Sequence, residues 1–561
     1  MAPRETSTSF HTNERVNIRN VLRSAAFALS CIGGAPLRAD PYVRQPIDVD
    51  HYRFALTLAD STDRIVGSAG IRFRVLAAGV TQVVFDLADA RDARSGRGMR
   101  VSAVSLDGKS LTFRHADDRL VVQLPGAPAN GTHLTITVTY DGIPADGLHI
   151  GPTPHGDRAF FSDNWPNKGH HWLPMIDHIA DKATMEMQVV APASYQVISN
   201  GLRMETTDLA AGMRRTLWRE SVPIAPWLYA LGVARFAVQR VGDYNGVPIE
   251  SWVFAQDRDA GFFDYAVPAK DALAFYSEWI GPFSYEKLAN VQSNSVSGGM
   301  EAASAIFYSA GSVAGNRPVR WRNVIIHEIA HQWFGDAVTE TDWNDVWLSE
   351  GFATYFTLLF IEHAYGRDEF VAGLRTSRKA VLDFDTRTPD YRVVHANLTD
   401  MSQVTTRMIY EKGAWTLHML RGELGDDVFW AGIRDYYARH RDGNATTTDF
   451  RQAMERASGK DLNAFFDQWL HRGGVPRVQG TWSWDAQAKQ VVLDVRQTQP
   501  GAPFVLPIDI GITAPDGTAR IERITLTGTT AHVTFPAAAI PTKVELDPNL
   551  RTLMDGQLSR R

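Results

Sequence analysis

Hydrophobic and polar residues alternate with a period of two over the first part of the chain. The clearest alternating runs cover residues 51–58, 71–76, 81–87 and 132–140. This period places each kind of side chain on its own face of an extended strand, and Asp107-Gly108 between two runs is typical of a tight hairpin turn. The pattern predicts an N-terminal antiparallel β domain over residues 40–242.

The pattern changes to a helical period over residues 243–473. Apolar residues recur every three or four positions in the segments 266–280, 321–334, 348–365, 410–424, 427–440 and 449–458. Gly281-Pro282 and Gly366 follow two of these segments, as residues that end helices do. We therefore predict that residues 243–473 form a mainly helical domain.

Alternation with a period of two returns after Gly473-Gly474. The runs cover residues 490–496, 506–512 and 531–535, and Pro515-Asp516-Gly517 between them is typical of a turn. This pattern predicts a small C-terminal β-sandwich over residues 474–561. The predicted fold class of the whole chain is therefore multidomain α+β.

The first 39 residues differ from the rest of the chain. Arg19 and Arg23 precede an apolar stretch at 24–34, and a small residue, Ala39, follows it. This order predicts a secretory signal cleaved after Ala39, and hence a periplasmic or secreted protein. The alternatives are a frayed N-terminal tail on a cytoplasmic protein and a lipoprotein cleavage site at Cys31.

Composition narrows the class of protein. The 561 residues are 44% hydrophobic and 21% charged, with a formal net charge of −6 and a pI near 6.3. These values are typical of a globular chain and indicate no basic face for nucleic acid. No unbroken apolar run reaches the length of about 18 residues that a membrane-spanning helix needs. Cys31 is the single cysteine, which excludes an intramolecular disulfide.

The first residues with a chemical signature form the motif His327-Glu328-x-x-His331. Residues four apart share a helix face, so both imidazoles can reach one ion, and Glu350 follows His331 by 19 positions as a candidate third ligand. Two imidazoles and a carboxylate suit Zn²⁺ with an open fourth position, and Glu328 can serve as general base. The alternative is a surface helix with two solvated histidines, but apolar residues flank this motif. We predict one zinc ion per chain.

These residues resemble the M1 family of zinc aminopeptidases, which belongs to the gluzincin group. The resemblance continues, in the family's order, through residues 181–184, 199–201, 298–301, 343–351 and 410–414. It implies a thermolysin-like catalytic domain that releases N-terminal residues from peptides with a free N-terminus. The resemblance leaves the oligomeric state open.

The resemblance also implies roles for residues outside the zinc motif. Glu301 matches the family's glutamate that binds the free α-ammonium of the substrate, which would restrict cleavage to the first peptide bond. Gly298, Gly299 and Met300 would form an extended strand that pairs with the substrate backbone. Tyr410 matches a tyrosine that donates a hydrogen bond to the oxyanion formed during cleavage.

The sequence departs from the family pattern at two places. Ala302 follows Glu301 where the family motif has an asparagine, which removes a contact to the substrate backbone. Trp165 falls where the family often has a Gln or Glu that helps to hold the amine, and we consider Asp163 a substitute contact. Trp165 could instead stack on a substrate side chain or narrow the pocket.

These departures keep other functions open. The first alternative is a zinc endopeptidase or an epoxide hydrolase on the same scaffold, since Ala302 and Trp165 weaken the argument for amine recognition. The intact Glu301 favours an aminopeptidase instead. The second alternative is a catalytically weak, zinc-containing peptide-binding protein, which predicts the loss of Glu328 or Tyr410, and both residues are present.

Overall fold

The computed structural model describes residues 45–90, 96–396, 398 and 400–561. The signal-like leader at 1–39, with Cys31, lies outside the described residues, so export of the protein stays a prediction. Within the described residues, no helix combines the length and the apolar character that crossing a membrane requires.

The N-terminal region consists mainly of strands. They are β1 (Ile47–Thr57), β2 (Ile65–Val75), β3 (Gln82–Asp86), β4 (Gly98–Leu106), β5 (Lys109–Ser110), β6 (Phe113–Ala116), β7 (Arg119–Gln123), β8 (His133–Ile143), β9 (Leu148–Pro152), β10 (Arg158–Ser162), β11 (Ala183–Pro192), β12 (Gln196–Ser199), β13 (Leu202–Asp208), β14 (Met213–Ile224) and β15 (Leu231–Ala234). The alternating runs of the sequence fall on β1, β2, β3 and β8, so these strand predictions are confirmed.

A large sheet carries this region, in the order β13-β14-β11-β1-β2-β8-β4-β5. β1 pairs antiparallel with β2 but parallel with β11, so the prediction of a purely antiparallel domain is wrong at this pair. The chain runs through β2 to β10 before it returns as β11, which is ample length for a crossover between parallel strands. Every second residue of β11 is buried, as expected for a strand with one face on the core.

Further strands of this region form sheets in the orders β12-β15-β10-β9 and β3-β7-β6. The Asp107-Gly108 turn joins β4 to β5, and both residues have positive φ, 49° and 76°. Two consecutive residues of positive φ match the right-handed twist of an antiparallel pair. The predicted hairpin is therefore confirmed.

A mixed sheet leads from the strands into the helices. It consists of β16 (Phe236–Tyr244), β17 (Val247–Phe254), β18 (Leu288–Ser293), β19 (Gly299–Met300) and β20 (Ala305–Ser309). The order is β16-β17-β18-β20-β19, in which β17, β18 and β20 run parallel and the short β19 lies at the edge. The predicted division at 242/243 falls inside β16, because this sheet draws strands from both sides of that point.

The helical region follows the predicted segments closely. Its helices are α1 (Arg258–Trp279), α2 (Val319–His331), α3 (Trp347–Tyr365), α4 (Arg367–Asp385), α5 (Gly413–Leu424), α6 (Asp426–His440), α7 (Thr447–Ser458) and α8 (Asn463–Phe466). Two short strands, β21 (Val338–Glu340) and β22 (Gly443–Ala445), pair in parallel. Helix α4 was not predicted, although Phe370, Leu374, Ser377 and Val381 have the spacing of a buried helix face.

The C-terminal region returns to strands. They are β23 (Arg477–Asp485), β24 (Gln490–Gln497), β25 (Leu506–Thr513), β26 (Ala519–Leu526), β27 (Thr530–Pro536), β28 (Lys543–Leu546) and β29 (Asp555–Arg560). They form sheets in the orders β27-β24-β23-β29 and β26-β25-β28. The predicted runs fall on β24, β25 and β27, which confirms these strands.

Candidate active site and metal centre

Helix α2 presents both histidines of the motif on one face. His327 and His331 are 6% and 1% exposed, one helical turn apart, and their Nε2 atoms lie 3.1 Å from each other. The apolar residues Ile325, Ile329 and Ala330 bury the rest of this turn in the core. The alternative of two solvated histidines on a surface helix is therefore wrong.

The first turn of α3 brings Glu350 to the same point. Trp347, the first residue of α3, is fully buried, and its indole Nε1 donates a hydrogen bond to Thr447 Oγ1 over 2.8 Å, which anchors the start of the helix. The Glu350 Oε2 atom lies 3.3 Å from the Nε2 atoms of both His327 and His331. The three donor atoms thus form a triangle with sides of 3.1 to 3.3 Å.

The size of this triangle tests whether a metal fits. Zinc binds imidazole nitrogen and carboxylate oxygen at about 2.1 Å, and tetrahedral ligands at that distance lie about 3.4 Å from one another. The observed sides are close to this value. The donor set, two nitrogens and one oxygen, also suits zinc and leaves a fourth position open.

The second ring nitrogen of His331 is held by its surroundings. Its Nδ1 lies 3.1 Å from the carbonyl oxygen of Phe334 and 3.0 Å from Ser349 Oγ. A carbonyl oxygen can only accept, so Nδ1 carries the proton and Nε2 presents its lone pair to the metal position. Gly335 has a φ of 112°, and a β-carbon there would overlap the Ser349 hydroxyl, so glycine keeps this arrangement possible.

The pKa values of His331 and Glu350 depend on each other. Burial opposes a charge on His331, but Glu301 and Glu350 together raise the pKa of this imidazole well above its usual value. Burial likewise opposes ionisation of Glu350, but the charge on His331 outweighs it and lowers the pKa of Glu350. A bound dication would replace the imidazole proton as the partner of the carboxylate.

Glu328 lies beside the ligands on α2 and packs against the backbone of β19. It is buried, and a β-carbon on Gly299 would overlap its carboxyl group. Burial, with Glu301 nearby, raises the pKa of Glu328 well above its usual value, and a dication held by the neighbouring ligands would lower it again and favour the ionised form that a base needs. The sequence predicted Gly299 as a residue that contacts substrate, and the structure adds that it leaves room for Glu328.

Tyr410 reaches the ligand set from a π-helical turn at Met408–Lys412. Its hydroxyl donates a hydrogen bond of 2.5 Å to Glu350 Oε1, and burial, with Glu350, raises its pKa well above the usual value. Gly351 and Gly413 let the two segments approach, because a β-carbon on Gly351 would lie 3.0 Å from the Gly413 Cα. Single π-turns within helices occur frequently at functional sites.

Glu301 follows the edge strand β19 and points at the same centre. It is 7% exposed, and its Oε1 lies 3.9 Å from His331 Nδ1. Ligand atoms of Glu301, Glu328 and His331 lie within 4.8 Å of one another. Burial raises the pKa of Glu301 to about 7, so a bound cation would restore its charge.

The segment 298–300 has the geometry of an open strand edge. The Ser309 backbone N–H donates to the Gly298 carbonyl oxygen over 2.8 Å, and Gly299 and Met300 pair with Tyr308 and Phe307 of β20. Among the residues that the structure describes, β19 is the last strand of its sheet, so a further strand could pair with its outer edge.

The structure places Asp163 near Glu301, whose pKa it helps to raise, but it assigns neither Asp163 nor Trp165 a contact with substrate. Burial raises the pKa of Asp163 to about 6, and the Lys168 Nζ atom lies 3.9 Å from its carboxylate. The Trp165 ring packs edge-on against Trp343 with centroids 5.8 Å apart. The roles proposed for Asp163 and Trp165 stay predictions.

Comparison with known sequences decides the family. Residues 266–469 match the peptidase family M1 domain, and residues 48–228 match the peptidase M1 N-terminal domain. The chain belongs to the M1 family of peptidases. The first match contains His327, His331 and Glu350, and M1 peptidases are zinc-dependent, which agrees with the fit of zinc to these three ligands.

Three relatives show how far this M1 chain is similar to known proteins. It is 26% identical over 397 residues to probable aminopeptidase 2 of Sulfurisphaera tokodaii, an alignment that covers 68% of this chain and 50% of the relative. It is 27% identical over 372 residues to aminopeptidase A of Gloydius brevicauda, with 64% and 39% covered. It is 27% identical over 369 residues to human glutamyl aminopeptidase, with 63% and 38% covered. The chain therefore spans half or less of the length of these relatives.

Proposed function

We propose that this chain is a zinc aminopeptidase that releases N-terminal residues from peptides. The observation that carries the proposal is Glu301, a buried carboxylate 3.9 Å from a metal-ligating histidine, at the end of an open strand edge. A peptide that pairs with β19 would place its α-ammonium against Glu301 and its first peptide bond at the ligand set. The buried carboxylate favours a charged amine over an acylated one.

Zinc at His327, His331 and Glu350 would supply Lewis-acid polarisation of the scissile carbonyl and would activate a water molecule. The chain's own residues then move the protons. Glu328 accepts the proton of the attacking water and passes it to the leaving amine. The Tyr410 hydroxyl is kept protonated by its raised pKa, and it would turn its proton from Glu350 Oε1 to the oxyanion that develops on the carbonyl.

Hydrolysis of matched substrates tests this function. The purified protein is given aminoacyl-p-nitroanilides and short peptides with a free or an acetylated N-terminus, with and without a chelator. We expect chelator-sensitive release from the free substrates and not from the acetylated ones. Equal cleavage of both forms would favour the endopeptidase alternative, and binding of zinc without turnover of any substrate would favour the peptide-binding protein.

Replacement of Gly299 by alanine tests how Glu328 is held. The new methyl group would overlap the Glu328 carboxyl group, so the base must move away from the position of the attacked bond. We expect kcat to fall by about 10²-fold, since a displacement of about 1 Å at a reacting group costs this much. The matched control is Gly311→Ala, where the nearest side-chain atoms would lie 3.9 Å or more from the new methyl group. Equal activity of both variants would contradict this account of Gly299.

Replacement of Tyr410 by phenylalanine removes the hydroxyl and keeps the ring. We expect kcat to fall by about 10²–10³-fold with KM little changed, because the hydrogen bond forms mainly in the transition state. Tyr437→Phe is the control, a buried tyrosine whose hydroxyl donates to the Pro282 carbonyl oxygen over 2.7 Å. A rise in KM at constant kcat would contradict the role of Tyr410 in stabilising the oxyanion.

Two further proposals concern the ends of the chain. The order of basic, apolar and small residues over 1–39 supports export to the periplasm or beyond the cell, and N-terminal sequencing of the secreted protein checks for cleavage after Ala39. Every second residue of β24 is buried, and the apolar residues Leu506, Ile508, Ile510 and Ile512 of β25 are buried on one face, which supports a small β-sandwich over residues 474–561.

A further inference from the structure

A buried glutamine joins the metal helix to the segment that carries Glu301. Gln332 follows the ligand His331 directly and is fully buried. Its Nε2 donates hydrogen bonds to the Glu301 carbonyl oxygen over 2.8 Å and to Asp336 Oδ2 over 2.6 Å. Its Oε1 accepts a hydrogen bond of 2.8 Å from the Ser304 backbone N–H. Both donors and the acceptor of the amide are therefore used.

The segment from Glu301 to Ser304, whose two ends contact Gln332, is a constrained turn. Ser304 has a φ of 61°, in the left-handed region that a serine rarely adopts. The Ala303 carbonyl oxygen accepts from Asn200 Nδ2 over 2.6 Å, and Ser304 Oγ accepts from the Gly201 backbone N–H over 2.8 Å. The turn between β12 and β13 thus holds one side of this segment, and Gln332 connects its two ends to α2.

The orientation of the Gln332 amide is itself determined. The Glu301 carbonyl oxygen can only accept and the Ser304 backbone N–H can only donate, so the amide nitrogen must face Glu301 and the amide oxygen must face Ser304. The Lys182 ammonium group donates to the backbone carbonyl oxygens of Asp336 and Ala337, over 2.8 and 3.0 Å. This contact fastens the loop after α2 to the β region, so Asp336 offers a fixed partner.

We propose that Gln332 is a positioning residue that sets the preference for a free α-amine. By bonding the Glu301 carbonyl oxygen and the Ser304 N–H, it fixes the Glu301 carboxylate relative to the metal ligands on the same helix. The distance between the site of the ammonium group and the metal ligands then matches the length of the one residue that is released. This inference rests on the proposed aminopeptidase function, and it assigns that specificity to a residue that does not contact substrate.

Replacement of Gln332 by methionine keeps the volume and removes the three hydrogen bonds. We expect kcat/KM for leucyl-p-nitroanilide to fall by about 10–100-fold, mostly through a higher KM, because a shifted Glu301 binds the amine less well in ground and transition states alike. Bound zinc, measured by atomic absorption, is expected to stay at one per chain. Gln332→Glu is the second variant. It keeps the shape of the side chain and the acceptor oxygen but removes the N–H donor to the Glu301 carbonyl oxygen, and we expect it to lower kcat/KM and raise KM as well.

A control variant separates positioning from stability. Gln497 of β24 is also buried, and its amide is fully hydrogen-bonded. Its Nε2 donates to the Phe504 and Gly528 carbonyl oxygens, and its Oε1 accepts from the Phe504 N–H. Gln497→Met should therefore lower the melting temperature by a similar amount and leave KM for the free amine unchanged. A rise in KM with Gln497→Met equal to that with Gln332→Met would overturn the inference.

A double-mutant cycle with Glu301→Gln tests whether Gln332 acts through Glu301. If it does, Gln332→Met raises KM much less in the Glu301→Gln background than in the wild-type protein. Additive effects in the cycle would overturn the positioning role and leave the aminopeptidase function standing. A wild-type protein that cleaves acetylated and free substrates equally would overturn both proposals.

Discussion

The Glu328→Gln variant is expected to bind one zinc ion as the wild-type protein does, and to lose about 10²–10⁴-fold in kcat. Glutamine has nearly the shape of glutamate but cannot accept the proton of the attacking water. Glu328 is not part of the triangle formed by His327, His331 and Glu350, so the metal site should stay intact. Steady-state kinetics on leucyl-p-nitroanilide, together with zinc analysis of the same sample, measures both quantities.

Glu340 offers a matched control for this variant. It is a buried glutamate of β21, and burial raises its pKa to about 8, so it is mostly protonated at neutral pH and glutamine is a close neutral replacement. We expect Glu340→Gln to retain most of the activity. A Glu328→Gln protein with near-normal kcat would contradict the role of Glu328 as the base, and one without zinc would contradict its place outside the ligand set.

The Glu350→Gln variant is expected to lose zinc on dialysis and nearly all activity with it. The substitution removes the anionic ligand and weakens the partner of Tyr410, whose hydroxyl now bonds Glu350 Oε1. The loss should exceed the factor of about 10–100 in metal affinity or activity that changes around the ligands cause. Competition with a chromogenic chelator gives the zinc affinity, and a kinetic assay with excess zinc tests for rescue.

Glu362→Gln is the control, since Glu362 lies on the same helix, three turns beyond Glu350. Its carboxylate pairs with Arg367 and Arg421, and it is more exposed than Glu350. We expect a small change in melting temperature and no change in zinc affinity. Retention of wild-type zinc affinity by Glu350→Gln would show that the third ligand is a different residue.

Much of the fold follows from local patterns. The period of two along β1, β2, β3 and β8 predicts these strands because each buries one face, and the helical segments are recognised by their apolar spacing. Helix α4 has the same signal, with Phe370, Leu374 and Val381 on a buried face, and could have been identified from the sequence.

Pairing between distant strands could not be predicted in this way. The parallel contact of β1 with β11 joins residues more than 130 positions apart, such as His51 and Thr184, and no local pattern encodes it. The shared sheet of β16 to β20 likewise crosses the predicted division at 242/243. Register and sheet order depend on the packing of the whole domain rather than on any one segment.

The residues of the candidate site were likewise predicted only in part. The ligands His327, His331 and Glu350 were predicted from spacing and resemblance, and the structure brings them together. Ser349 and Gln332 were not predicted, although each is adjacent to a ligand in the sequence. The role of Ser349 depends on its contact with the His331 imidazole, and that of Gln332 on its contact with the Glu301 backbone, and both contacts join separate segments. Adjacency to a ligand in a buried element is the one sequence signal that could have singled them out.

Zinc titration of the metal-free protein tests the central claim most directly. Zinc is removed with a chelator, added back in steps, and the hydrolysis of leucyl-p-nitroanilide and of its N-acetyl form is followed at each step. We expect activity on the free substrate to rise linearly and to stop rising at one zinc per chain, with the acetylated substrate uncleaved throughout. Bound zinc without activity on the free substrate, or equal activity on both substrates, would contradict an aminopeptidase built on His327, His331, Glu350 and Glu301.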